Sequence, residues 1–562
     1  MKIKVPVLIQ DQMVAASKGF HPTETVPIDE RFFLDGPISE RVAIIDFDSD
    51  GAVRPGAVFT PPSENSDGGY AEAQVGFPSD PALQVSVFGT VHRTLALFEE
   101  PDALGRQVKW AFDGPQLLVV PRAGDWENAF YERESRSLQF FHFLSAREDY
   151  VGRTVFTCLS HDIVSHETAH AILDGIAPDL YNAISPQSLA LHEAIADITA
   201  LLMSIRSDNL REKVLIQTDG ALDVETAFSA IAEEFGVERL RIGPLRPLRS
   251  LLNDKKLPEE GGVRASPHHL SEILSGALYN LLVKIYEAVL KKQMAAKRQT
   301  RKQASGFALW VAGQKFKRMV LRALDYLPPG EISFADYGRA IVAADEASHP
   351  HSSQERQWLV DEFKRRKIVK TEAALLKAGP DATRSKDLAK ILAETNLDTL
   401  VNSDWAAYEF AGRCRSLLGA PKSVPLRVRA RQDVTKTYWF GAGDEREVRE
   451  CIFKISWDAE EQNPRARGLP GRRQITMGTT LAIDWETKAI RALLTSDTSQ
   501  TQRNDRDDSL LRLHRNNRLN IGAEAIGPDG KELGTVAVGE VSGDLIRIRK
   551  SARLLHIDAL LD

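Results

Sequence analysis

The chain has 562 residues, 43% of them apolar and 27% charged. That is enough apolar material for large cores in two or three domains, and it excludes a low-complexity or disordered polymer. A formal charge of -6 excludes a strongly basic nucleic-acid or membrane-surface protein, so partners have to be argued from a site.

The cysteines, Cys158, Cys414 and Cys451, are far apart and form no CxxC pair, which argues against a disulfide framework or a cysteine-ligated zinc and for buried thiols. The amino terminus offers only the short apolar run VPVLI before Gln10 and Asp11, too little for a secretory signal core, and no uninterrupted apolar run reaches about 18 residues. A cytoplasmic location is expected.

In chain order, residues 1–155 mix β-type runs (VAIIDF, LQVSVFG, PQLLVVP) with loop chemistry such as PPSENSDGGY at 61–70, and read as a β-rich lobe of an α+β fold. Helical spacing then takes over in DIVSHETAHAIL and SPQSLALHEAIADITALLMSI, where Ser185 suits an N-cap and Pro186 the first helical position. A loop around GIAPDLYNAI joins them. Further helices are expected at SEILSGALYNLLVKIYEAVL, FKRMVLRALDYL, FADYGRAIVAADEA and SQERQWLVDEFKRR, which makes 156–370 a helical lobe. The basic run KKQMAAKRQTRK at 291–302 reads as a solvated helix end or loop, against a polyanion-binding patch. Residues 371–562 read as a separate, mostly β module: a short helical stretch, then PLRVRA, TTLAIDW, GTVAVGEV and DLIRIR, with a hairpin turn at GPDGKEL and a mobile loop at TSQTQRNDRDD, 498–508.

The chemistry concentrates in SHETAHAILDG at 165–175. Residues four apart stack on one helix face, so His166 and His170 can aim at one point with Glu167 about 100° round. Two imidazoles need one more protein ligand to hold a catalytic zinc with a position left open for water. Glu193 in LHEAIADI supplies it if the next helix returns alongside the first, and Asp197, one turn on, suits a supporting role, accepting the other ring N–H of a ligand histidine. A third histidine of the HExxHxxGxxH type is excluded, because Leu173 stands where the glycine belongs and Ile176 where the histidine belongs. His161 and His192 fall on other faces and read as structural.

With both motifs in hand, DIVSHETAHAILDG, LY and LHEAIADI resemble the thermolysin-like zinc metallopeptidases, the gluzincins. Tyr181 lies at the spacing of the family's transition-state tyrosine, and Asp174 matches an acid on the same helix. ENAFY at 127–131 is similar to the family's edge strand that pairs with substrate, which carries over to Asn128 and Ala129. PLRS at 247–250 resembles the segment whose arginine lines the pocket, here Arg249. The likeness covers about 85–370, with 323–368 similar to the family's last helices. It implies a two-lobed peptidase with one zinc at the floor of the cleft. The chain departs from the family at its catalytic histidine: Glu272 holds the aligned position before Ser275 and Gly276, and His268 and His269 come earlier, His269 being the slightly favoured candidate. Asp162 matches one acid of a calcium site, but Ser204 replaces a second, so structural calcium is not expected. No long propeptide is expected before the catalytic unit, as suits an intracellular enzyme.

The expectation is a zinc-dependent endopeptidase with Glu167 as general base and an extended polypeptide as substrate, regulated or targeted by residues 371–562, which offer a surface for a protein partner. No nucleic acid or membrane is expected as a partner. The alternative is a catalytically silent zinc-binding scaffold, against which the retained Glu167 argues. An aminopeptidase is disfavoured, since no GxMEN-like motif occurs.

Overall fold

The structure is a computed structural model. It describes residues 1–562 except 10–22, 65, 71–78, 146–151, 232–248, 259–265, 350–352, 377–381, 430, 440–444, 464–467, 497–498, 517–518, 522–536 and 551–562. The expected hairpin turn at GPDGKEL lies outside the described residues.

The amino-terminal part is mixed α and β. Strand β1 (Lys2–Leu8) alternates exposed and buried side chains and pairs antiparallel with β2 (Thr23–Asp29). Helix α1 (Asp80–Glu99) lies on this pair, close enough at Gly89 that a Cβ there would sit 2.4 Å from Val7 Cγ1. Here the sequence expectation fails: LQVSVFG is helix, not strand. Ser79 caps it and Pro81 enters its first turn, and burial continues without a break from Ala82 to Leu95, so no polar face marks the helical period. A six-stranded sheet follows in the order β3 (Phe33–Leu34), β4 (Ile38–Ser39), β5 (Val42–Ile44), β6 (Leu117–Val120), β8 (Ser137–Phe140), β7 (Ala129–Glu132), which leaves β7 at the edge.

The helical part runs through α2 (His161–Ile176), the single turn α3 (Pro178–Tyr181), α4 (Pro186–Arg206), α5 (Asp208–Gln217), α6 (Pro267–Lys297), α7 (Arg301–Tyr326), α8 (Phe334–Ser348) and α9 (Gln354–Arg365). Ser160 and Ser185 cap the first and third of these through their hydroxyls, as the Ser-Pro pair at 185–186 suggests. Helices α4 and α6 are long and apolar enough to cross a membrane, but the stretches concerned are 100% and 67% buried inside the fold, as core helices are. The basic run at 291–302 spans the end of α6, a left-handed Arg298 and the capped start of α7.

Beyond residue 370 come α10 (Ala373–Leu376), α11 (Ala382–Glu394), α12 (Leu397–Asn402) and α13 (Asp404–Arg413), then an eight-stranded sheet centred on the hairpin of β15 (Glu445–Gln462) and β16 (Arg472–Asp484). Alternation along these strands divides two cores. Val434, Ile452, Ala482 and Leu494 enter the core of the helical part. Cys451, Phe453, Ile455, Leu481 and Ile483 face the other way, onto Leu388, Leu392, Leu400 and Phe410 of the helices that cover the sheet.

Polar groups seal the first of these contacts. Asp325 of α7, fully buried, takes Arg106 Nη2 at 2.5 Å and Lys436 Nζ of β14 (Gln432–Trp439) at 3.0 Å. Tyr326 donates to Glu450 at 2.7 Å, and the Leu327 carbonyl accepts from Lys454 Nζ and Thr480 Oγ1. Gly330, at φ +103°, lets the two backbones touch: a Cβ there would lie 2.3 Å from the Thr476 carbonyl oxygen.

The loop expected at 498–508 is instead the start of α14 (Gln500–Arg515), capped by Ser499. Three of its charges, Asp505, Arg506 and Asp507, are buried and not solvated. Arg506 bonds Glu461 and Asp507 bonds Arg473, all buried, while Leu510 and Leu513 pack inward.

Candidate metal centre

Helices α2 and α4 pack side by side, and the residues the sequence singles out on them converge. His166 Nε2 and His170 Nε2 lie 3.0 Å apart. Across from them, Glu193 places Oε2 3.4 Å from His166 Nε2 and Oε1 3.5 Å from His170 Nε2. His166, Glu167 and His170 also bring one donor atom each within 4.8 Å of one another. All four side chains are buried, His170 and Glu193 completely.

The outer nitrogens fix the inner ones. His166 Nδ1 is 3.1 Å from Asp197 Oδ1, so its N–H belongs there and the Nε2 lone pair faces inward. His170 Nδ1 is 2.5 Å from Nδ1 of His192, whose ring stacks on it at 4.7 Å. Two inward lone pairs and a carboxylate cannot share a dry space stably without a positive charge among them, which is the requirement a cation meets. The electrostatics agree. Burial pulls His166 down, but Asp197 and Glu193 outweigh it and push its pKa up to about 9. Burial would raise Glu193, yet His268 and His170 hold its carboxyl well below the usual range. The donor set of two imidazoles and one carboxylate fits zinc with one position open.

Arg249 stands behind this group. Its guanidinium bonds both oxygens of Asp197, with Nη2 at 2.7 Å from Oδ1, and reaches His166 Nδ1 and His268 Nδ1 at 3.4 Å. It is therefore part of the buried scaffold of His166. Of the two adjacent histidines, His268 comes to the site, with Nδ1 2.8 Å from Glu193 Oε2. His269, the slightly favoured one in the sequence, does not: it is exposed, and its Nδ1 bonds Ser266 Oγ at the start of α6. Side chains one residue apart on a helix diverge by about 100°, so only one can turn inward.

Glu167 faces edge strand β7, where Tyr131 N–H donates to its Oε2 at 3.1 Å, and burial pushes its pKa up to about 8. The Ala129 N–H is held by the Asn128 side chain at 2.9 Å. Asp174, fully buried, accepts from Tyr131 Oη at 2.8 Å and pairs with Arg133. It ties β7 to α2; its bonds run to the strand and not to the imidazoles. Arg133 in turn lies 4.2 Å over the Tyr181 ring, whose hydroxyl meets Arg133 N at 3.3 Å and Glu134 at 3.5 Å.

His192, read from the sequence as structural, is the hydrogen-bond and stacking partner of His170, a connection the sequence reading did not make. The available signal was its position beside Glu193: about 100° round α4, it can reach the outer nitrogen of His170 while Glu193 faces the inner nitrogens of both imidazoles. His161 sits at the first turn of α2, buried, 3.9 Å from Asp162, whose carboxylate accepts from Ser204 at 3.2 Å.

No protein-family model and no curated protein matches this sequence. Among solved structures, the chain is similar to the precursor of protealysin, a metalloproteinase from Serratia proteamaculans, with a TM-score of 0.36 and 14% identity over 61% of this chain and 91% of that one. At that level of likeness the chemistry rests on the side chains described above.

Proposed function

We propose that the chain is a zinc-dependent endopeptidase of the thermolysin-like, gluzincin type. The observation that carries this reading is the convergence of His166 Nε2, His170 Nε2 and the Glu193 carboxylate, with the outer nitrogens occupied, beside a buried Glu167. His166, His170 and Glu193 would hold the ion. Bound there, zinc supplies Lewis acidity for a carbonyl oxygen and for water.

The other groups are disposed for peptide hydrolysis. Glu167 takes a proton from the attacking water and returns it to the departing amine. Tyr181 and His268 offer donors to the carbonyl oxygen as it becomes negative. Edge strand β7 accepts an extended peptide as an added strand, the Ala129 N–H exchanging its bond to Asn128 for one to the substrate. Arg249 keeps Asp197, and through it His166, in place. Asp174 holds the strand against the helix.

The test compares wild type with Glu167→Gln, measuring bound zinc and the fragments each makes from casein by mass spectrometry. Both should carry zinc, with only the wild type cutting, and internally. Equal zinc with no cleavage by either would leave a metal-holding scaffold; no zinc in either would remove the metal reading altogether.

A further inference from the structure

Segment 177–185, which joins the two donor helices and carries Tyr181, is fastened to the C-terminal sheet. Arg429, between β13 (Arg427–Val428) and β14, places Nη2 2.9 Å and 3.1 Å from the two Asp179 oxygens. Its Nε donates to Ser456 Oγ of β15 at 2.8 Å, so the guanidinium is itself anchored in the sheet. Gly330 N–H reaches Asp179 at 3.1 Å from the α7–α8 turn. On the far side of Tyr181, Ile184 N–H donates to Glu331 Oε1 at 2.7 Å, and its side chain packs with Leu510 and Leu513 of α14.

These anchors matter because α3 does not hold itself. It is one turn long, its N-cap Ala177 offers no side-chain bond, and a turn of this length is not stable alone. The Tyr181 hydroxyl is no firmer: its contacts of 3.3 Å and 3.5 Å are long for hydrogen bonds to oxygen. Arg133 covers one face of the buried ring and holds the Pro178 carbonyl, and Tyr131 meets the ring edge-on at 5.9 Å; the backbone that carries Tyr181 between them is set by what grips the residues on either side.

We propose that Arg429 is a positioning residue for Tyr181, acting through Asp179, so that the C-terminal sheet completes the active site of the peptidase body. The inference rests on the peptidase reading. It assigns the module a part in the reaction, through a residue that contacts neither metal donors nor substrate strand.

The experiment uses the full chain with casein as substrate and hydrogen exchange as a second readout. Arg429→Ala should lower kcat roughly ten- to a hundredfold with KM little changed, since a misplacement of about 1 Å costs on the order of a hundredfold. Arg429→Lys, which restores the charge but not the tie to Ser456, should recover part of the loss. In a Tyr181→Phe background, Arg429→Ala should cost nothing more. Amides of 179–184 should exchange faster in Arg429→Ala while zinc content and the exchange of α2 and α4 stay as in wild type, which separates the effect from misfolding. An unchanged kcat, or an equal loss in the Tyr181→Phe background, overturns the proposal. A zinc-loaded wild type that does not cut overturns the peptidase reading and the proposal with it, and is distinguishable because wild type and variants are then silent alike.

Discussion

The His192 and His170 rings stack at 4.7 Å with their Nδ1 atoms 2.5 Å apart, so one histidine serves as the hydrogen-bond partner of the other. One Nδ1 must donate and the other accept. Because His170 turns Nε2 towards His166 and Glu193, the donor is His170, which makes His192 the group that sets its tautomer.

Replacing His192 by Ala should therefore weaken zinc binding by about 10- to 100-fold, the usual effect of losing such an outer partner. His192→Asn, whose carbonyl can still accept, should recover part of it. Competition against a chromogenic chelator measures both. Equal affinities in all three proteins would mean that the rings only pack.

Gly175 limits how α2 can sit. A Cβ there would fall 2.0 Å from the Lys109 carbonyl oxygen, and the obstacle is backbone that cannot rotate away. Gly175→Ala gains about 1 kcal/mol of helix propensity, against about 1–3 kcal/mol or more for overpacking. The net effect should be a lower melting temperature and weaker zinc binding, since His170 lies little more than a turn away. An unchanged melting temperature would show that the 109 loop yields freely.

Much of this centre was legible because it obeys helical arithmetic. His166 and His170 recur at four, Glu193 and Asp197 recur at four, and Ser185-Pro186 marks where the second helix begins. What depended on packing was hidden. Which of His268 and His269 turns inward follows from the rotation of α6, and His192 meets His170 only because α4 crosses α2 as it does. Helix α1 reads as strand because it is buried on every side. Helix α14 reads as loop because the partners of Arg506 and Asp507 stand on strands about 35–45 residues earlier.

The junction between the helical part and the C-terminal sheet turns on Asp325. Burial works against its charge, but Arg106 and Lys436 outweigh this and hold its carboxyl well below the usual range. Asp325→Ala would leave the half-buried Arg106 without its counter-charge and the buried Lys436 with Glu450 alone at 3.7 Å, at about 3–5 kcal/mol. Lys436→Met should cost less, because Arg106 still serves Asp325. Urea unfolding that ranks the two variants the other way would show that Lys436 is held chiefly by Glu450, 3.7 Å away.

Asp505 gives the grip of α14 on the start of α4 a pH dependence. Burial, reinforced by Asp508, pushes its pKa up to about 7 from an ordinary 3.8, while the Arg506 charge and a bond from Gln187 oppose the rise. The folded chain thus keeps the Asp505 proton where the unfolded chain has released it. Between about pH 4 and 7 the folded state binds more protons than the unfolded one, so this contribution to stability falls as pH rises across that window and stays lost above it. Asp505→Asn, which cannot ionise and can still accept from Gln187, should match wild type near pH 4 and melt at a higher temperature than wild type near pH 8. Melting curves of both proteins across this range measure the effect. Parallel curves would mean that Asp505 ionises as it does in the unfolded chain, and that α14 is held by Arg506, Asp507 and its leucines alone.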